Sequence, residues 1–324
     1  MKVRFWGTRG SLPVAQKAAA IRDKIAAALV AADGRRFSDL DEARAFADDE
    51  LEFAVSGTYG GATSCVEVEA GPEDGEQAFI LCDLGSGARE FGLDAMGRCA
   101  RGHARVYHLF MSHFHWDHIM GFPFFVPVFD PETKIVIHSG HADAEEALRR
   151  QQEEISFPVA FDWLRAQISF VTLETGKPYE IGAVTVELIE QNHSHKSYGY
   201  RFTDAAGTSV VYSTDSEHKV DRMDQEAAFV AFFGDCDLVI CDTMYSLADS
   251  ASMKEDWGHS SNVVAIDLCH QAQARRLALF HHEPTYSDAD IQRMHQESIR
   301  YEELTREGAP LEVICAYDGL TVEI

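Results

Sequence analysis

Residues 106–118 read Val106-Tyr107-His108-Leu109-Phe110-Met111-Ser112-His113-Phe114-His115-Trp116-Asp117-His118. Val106, Leu109, Phe110 and Met111 make an apolar run short enough for a buried strand. The run then breaks into a segment with four metal-competent side chains within six positions: His113, His115, Asp117 and His118. On a continuing strand His113, His115 and Asp117 would share one face, because side chains alternate with period two, and on a helix they would scatter. A loop at a strand end instead lets His113 and His115 point one way and Asp117 and His118 another, which suits two adjacent metal ions. Imidazole with carboxylate favours zinc, and iron or manganese with less selectivity. A polar loop that is merely rich in histidine is the bland alternative, and this spacing directly after an apolar run argues against it.

The chain around this stretch has 324 residues, of which 46% are hydrophobic, enough for one large α/β domain with a sizeable core. Acidic residues outnumber Lys and Arg by 53 to 28, giving a net charge of −25. Such a field repels nucleic acid at long range and argues against a non-specific nucleic-acid binder. A small anionic substrate stays compatible with it, since bound metal ions dominate the field inside a site. The seven cysteines are scattered, form no C-x-x-C and sit partly in apolar runs, as expected for reduced core residues of a cytoplasmic protein. No stretch approaches transmembrane length. No internal repeat, low-complexity tract or linker divides the chain, so one domain over 1–324 is the simplest account.

The pattern His113-x-His115-x-Asp117-His118 resembles the signature of the metallo-β-lactamase superfamily, and SHFHWDHIMGFPFF is similar to the branch of ribonuclease Z-like and cyclic-nucleotide phosphodiesterase-like hydrolases. Phe5–Ser11 (FWGTRGS) resembles the family's first strand and loop, with Thr8, Arg9 and Ser11 near the rim of the site; a plain turn explains them almost as well. Gly60–Cys65 (GGATSC) resembles a second family motif, although Ala62 stands where Asn is usual. Between the two lie residues 14–56, whose spacing reads as a helical pair inserted into the fold, either a lid, a homodimer contact or a solvated hairpin. Pro72–Gly75 reads as a turn. Asp83-Leu84-Gly85-Ser86-Gly87 follows a buried strand and resembles the family's D-x-G-x-G loop, which makes Asp83 a brace for the site and not a ligand.

The same resemblance supplies the remaining ligands. His193 fits the family's single histidine before a G-Y-R strand start, with His195 close enough to compete. Asp215 ends the strand Ser209–Thr214 and would bridge the two ions; alone it reads as a helix cap. Strand alternation lets only one of His281 and His282 reach the metals, and the family's position directly after the strand favours His281. The implied set is His113, His115 and His193 on one ion, Asp117, His118 and His281 on the other, and Asp215 between them. Gly258-His259-Ser260-Ser261 resembles the G-H-S-[ST] motif of the ribonuclease Z-like branch, which makes His259 the candidate general acid, counted with Asp117 among the catalytic residues. Asp242 is left as a supporting carboxylate. Lys196 and Ser197 could contact a substrate phosphate. His138 and His141 fit no spacing and read as surface or loop residues.

The resemblance implies an αββα sandwich with a dinuclear site at the edge of two facing sheets. Two ions about 3.5–4 Å apart make hydroxide available at neutral pH, and for a phosphodiester His259 would protonate the leaving alkoxide. The first expectation is a dinuclear zinc hydrolase of a small phosphodiester such as a cyclic nucleotide. The alternatives are ribonuclease Z-type tRNA 3′ processing, which the net charge and the absence of a basic arm oppose, thioester or lactone hydrolysis, in which His259 has no task, and a non-catalytic interaction protein, which an intact ligand set opposes.

Overall fold

Most strands of the chain bury both faces, and that decides its layering. In the computed structural model, which describes residues 1–71, 78–218, 223–246 and 258–324, the first sheet contains β1 (Lys2–Gly7), β2 (Cys65–Glu69), β3 (Phe79–Cys82), β4 (Val106–Met111), β5 (Lys134–Ser139) and β6 (Gln167–Thr172). The second contains β7 (Tyr179–Ile181), β8 (Val184–Gln191), β9 (Ser197–Asp204), β10 (Ser209–Ser213), β11 (Leu238–Asp242), β12 (Arg276–Phe280) and β13 (Glu312–Cys315), and β14 (Thr321–Glu323) returns to the edge of the first. The orders are β14-β1-β2-β3-β4-β5-β6 and β13-β12-β11-β10-β9-β8-β7, seven strands each. The turn expected at Pro72–Gly75 lies outside the described residues.

Alternation along the strands feeds two different cores. Ile80, Cys82 and Phe110 face inward and pack with Tyr200, Phe202, Tyr212, Ile240 and Phe280 of the opposite sheet. Their neighbours Phe79, Leu81, Leu109 and Met111 face outward and pack with Phe91, Ala95 and Cys99 of α4 (Ala88–Ala100). The α5 turn (Trp116–Ile119) follows β4, and α6 (Ala144–Gln151) adds Leu148 to that outer core. On the outer face of the second sheet, α7 (Met223–Phe233), α8 (Asn262–Gln271) and α9 (Asp288–Thr305) contribute Phe229, Phe233, Ile266, Cys269 and Ile291. The result is the expected four-layer αββα sandwich. Strand β2, whose alternation reads as half-buried, is covered on both faces: Glu67 is buried, accepting from Trp6 Nε1 at 3.1 Å and pairing with Arg98 at 2.7 Å.

Within β3–β6 and within β10–β13 neighbouring strands run parallel. Their C-terminal ends therefore gather at one edge, the usual place for a site in a parallel sheet. Asp83 follows β3, the His113–His118 segment follows β4, Asp215 lies two residues past β10, Asp242 ends β11 and His281 follows β12. Asp83, Asp215 and His281 all turn the chain with φ of 57°, 50° and 63°. Left-handed backbone at a non-glycine residue costs on the order of 1–3 kcal/mol, and here it falls on residues gathered at that edge.

Residues 14–56 form helices α1 (Ala18–Ala31), α2 (Leu40–Asp49) and α3 (Phe53–Ser56). No residue of α1 is buried, and Ile21, Ile25 and Leu29 face solvent. Polar ties hold it: Lys24 Nζ reaches Asp288 and Gln16 Nε2 donates to the same carboxylate at 3.0 Å. None of the helices among the described residues is long and apolar enough to cross a membrane.

Candidate metal centre

The strand ends deliver two clusters of donor atoms that share one carboxylate. His113, His115, His193 and Asp215 form the first, and Asp117, His118, Asp215 and His281 the second; within each, one donor atom per residue lies within 4.8 Å of the others. In the first, His113 Nε2 and His193 Nε2 stand 2.8 and 3.1 Å from His115 Nδ1, and both are 3.7 Å from Asp215 Oδ2. In the second, His118 Nε2 lies 3.2 Å from Asp117 Oδ2 and 3.1 Å from Asp215 Oδ1, with His281 Nε2 3.8 Å from Asp117 Oδ2. Asp215 thus turns one oxygen to each cluster.

Two observations test whether these residues suit divalent ions. Nε2 of His118 and of His281 are buried and find no hydrogen-bond partner among the described residues, despite the carboxylates beside them. In the first cluster His115 Nδ1 instead lies within hydrogen-bond distance of the other two ring nitrogens. Donor atoms around a tetrahedral zinc, with arms of about 2.0–2.1 Å, stand roughly 3.3 Å apart, and the separations above bracket that distance. The donor set therefore fits.

Outer contacts hold four of the five imidazoles by the other nitrogen, the arrangement that orients a ligand ring. His118 Nδ1 is 2.8 Å from Asp83 Oδ2, an oxygen that also accepts from Tyr212 and Ser112 hydroxyls at 2.7 Å. Asp83 Oδ1 accepts the Ser112 N–H at 2.7 Å, so Asp83 braces the segment and stays out of both clusters. His281 Nδ1 lies 3.1 Å from Ser64 Oγ, His113 Nδ1 3.1 Å from Ser112 Oγ, and His193 Nδ1 3.0 Å from the Gly258 carbonyl.

Electrostatics divides the groups by role. Burial pushes His113, His115 and His281 down, keeping them neutral with a lone pair free. Burial opposes charge on Asp117 and Asp215, but the surrounding imidazoles, His118 first for Asp117 and His281 first for Asp215, outweigh it and hold both carboxyls below the usual range. His118 is the exception: burial works against its proton, yet Asp215, Asp117 and Asp83 push it up. One positive charge thus sits among three carboxylates, where a divalent ion would take its place.

His259 stands over both clusters. Its ring lies 5.4 Å from that of His193 and 5.2 Å from that of His281. Its Nδ1 is 2.7 Å from Asp242 Oδ2, and His259, Asp242 and Asp215 also form a third group of close donor atoms. Burial lowers the affinity of His259 for a proton, but the charge and hydrogen bond of Asp242 outweigh it and carry the pKa to about 9.

Position separates the two ambiguous pairs of histidines. His195 is exposed on a left-handed turn, with φ 61°, while His193 joins the first cluster. His282 points away and its Nε2 lies 2.8 Å from the Ala316 carbonyl. Two expectations need correcting. Lys196 is exposed and pairs with Glu190 at 2.8 Å, and Ser197 is wholly buried at the start of β9, where Gln191 Nε2 donates to its hydroxyl at 3.1 Å. Neither belongs to the clusters, and the expected phosphate contact is withdrawn. His138 is a core residue of β5, stacked on Phe110 and 3.0 Å from His108, whereas His141 lies in the following loop as expected, half-buried beside Phe114 and Tyr198. Phe122 and Phe125 are core residues too. Sequence reasoning missed Ser64 and Ser112; each hydroxyl sits beside a recognised motif residue, a signal too weak to use alone.

A family model described as a β-lactamase superfamily domain matches residues 80–282. The chain is similar to a ribonuclease Z from Picrophilus torridus, 21% identical over 234 residues, which cover 57% of this chain and 72% of that protein. Among solved structures it resembles a new diphosphatase from the PhnP family, with TM-score 0.61 and 17% identity, covering 100% of this chain and 97% of that one. It also resembles unliganded yeast PDE1, with TM-score 0.60 and 13% identity, covering 80% of this chain and 94% of the yeast protein.

Proposed function

The chain belongs to the β-lactamase superfamily, and from that premise we propose that it is a dinuclear metal-dependent phosphodiesterase cleaving a small phosphodiester such as a cyclic nucleotide. In this reading His113, His115 and His193 hold one ion, Asp117, His118 and His281 the other, and Asp215 both. When bound, such a pair supplies Lewis acidity toward phosphoryl oxygens and hydroxide at neutral pH. Zinc suits the imidazole-rich set best, with manganese or iron as substitutes.

The observation that carries the reading is His259. A phosphodiester leaves as an alkoxide, a poor leaving group that needs a proton. Asp242 holds the Nδ1 of His259 at 2.7 Å and raises its affinity for a proton, and its ring lies within 5.4 Å of ligand rings from both clusters. Nε2 is then the atom that donates to the leaving oxygen. Asp242 fixes the tautomer and stabilises the cation. Thioester or lactone hydrolysis would leave this paired, protonated imidazole without a task.

An RNA endonuclease is the second reading, favoured by the ribonuclease Z relative. The net charge of −25 opposes it, since RNA binding draws on many cationic phosphate contacts. Seven buried free cysteines support a reducing, cytoplasmic setting.

The test is hydrolysis of bis(p-nitrophenyl) phosphate by purified protein of measured metal content, wild type beside His259→Ala. Two ions per chain, turnover in the wild type and a loss on the order of 10²–10⁴-fold in the variant are expected. Two ions without turnover would refute phosphodiester chemistry, and salt-sensitive RNA binding would move the assignment to the endonuclease.

A further inference from the structure

Residues 9–11 join neither cluster, yet they touch two members of the second. A Cβ on Gly10 would sit 2.6 Å from His281 Nε2 and 2.5 Å from its Cδ2. The ring has little freedom to retreat, because its other nitrogen lies between Ser64 Oγ at 3.1 Å and Thr214 Oγ1 at 3.3 Å. Only glycine at position 10 leaves the free Nε2 where it faces Asp117. The next residue acts on Asp117 itself: the Ser11 N–H donates to Asp117 Oδ2 at 2.8 Å, the same oxygen that faces His118 and His281. Ser11 does so with φ 57°, a left-handed backbone that needs outside support.

Arg9 supplies that support. It is 1% exposed, and its guanidinium donates to the carbonyls of Gly60 at 3.0 Å, Glu283 at 3.0 Å and Tyr286 at 2.9 Å. The Gly10 N–H donates to the His282 carbonyl, and the His282 N–H to the Thr8 carbonyl. The loop is thereby stitched to the turn that carries His281. The first cluster has a local brace instead, with His113 resting on its neighbour Ser112.

We propose that Arg9, Gly10 and Ser11 are positioning residues that set the ion affinity of the Asp117–His118–His281 half. The proposal rests on the dinuclear reading and adds to it a selective control of one half. Outer contacts of this kind typically change metal affinity 10–100-fold.

The experiment is calorimetric titration of metal-free protein with Zn²⁺, using wild type, Gly10→Ala, Arg9→Lys and, as a control at a neighbouring exposed side chain, Leu12→Ala. Wild type and Leu12→Ala bind two ions. Gly10→Ala keeps one ion within about twofold of wild type and weakens the other by roughly 10–100-fold. Arg9→Lys keeps the charge but loses the fork that spans three carbonyls, and weakens that same ion about 10-fold. Wild type binding fewer than two ions refutes the dinuclear reading. Wild type binding two while both variants lose neither ion, or both ions equally, overturns the positioning role. Circular dichroism identifies a Gly10→Ala protein that has not folded, and Arg9→Lys then decides alone by the same criterion.

Discussion

The two halves of the centre are built from the same donors and held in different ways. His113, His115 and His193 lie on the more open side, where His115 is half-buried. Asp117, His118 and His281 are all buried, and their supports come from far along the chain: Asp83, Ser64 and the backbone of Ser11. The open half has one support from a neighbour, Ser112, and one from the distant Gly258 carbonyl, and the closed half rests on long-range ties. Pre-organisation is therefore unequal. The closed half should bind by filling a preset cage, and the open half should exchange ions and meet substrate.

The largest break in this comparison comes from the residue the halves share. Asp215→Ala removes one oxygen from each cluster. Metal analysis should fall from about two ions to less than one, with phosphodiester turnover at background; retention of both ions would separate the halves from Asp215. Asp83→Asn tests the asymmetry. One carboxylate oxygen there serves three donors, which an amide cannot do, so the closed half should lose about 10–100-fold in zinc affinity while the open half changes far less. Equal losses in competitive titration would refute the asymmetry.

The smallest effect concerns the proton on His259 above both halves. As a donor it must be protonated, so kcat should hold below its pKa and fall as pH rises through it. Burial lowers that pKa and Asp242 raises it to about 9, so the alkaline limb belongs at or below pH 9, lower to the extent that bound ions cancel the pull of Asp215 and Asp117. Asp242→Asn removes the main raising cause and should move the limb down by about one unit or more. A limb that stays in place would exclude His259 as the titrating group.

The same contrast explains what the sequence could tell. The segment after β4 concentrates four donors in six positions, and its spacing alone pointed to two ions. Asp215 and His281 carry no such local signal; each is a lone residue just past a strand end, and family resemblance was needed to pick them. The spacing of α1 left a lid, a homodimer contact and a solvated hairpin open, because periodicity says nothing about what a helix lies against. Ser197 read as a phosphate contact, but it opens β9 with its hydroxyl turned inward. His138 read as surface because a single histidine on a short strand has no period. The part played by Gly10 and Ser11 left no trace in residue type, since it works through a missing side chain and a backbone N–H.

The most direct test of the paired site is anomalous diffraction from crystals soaked in zinc, with data on both sides of the zinc edge. The account predicts two peaks about 3.5–4 Å apart, one among His113, His115 and His193 and one among Asp117, His118 and His281, with Asp215 between them. A single peak, or one held by Asp215, Asp242 and His259, would contradict it.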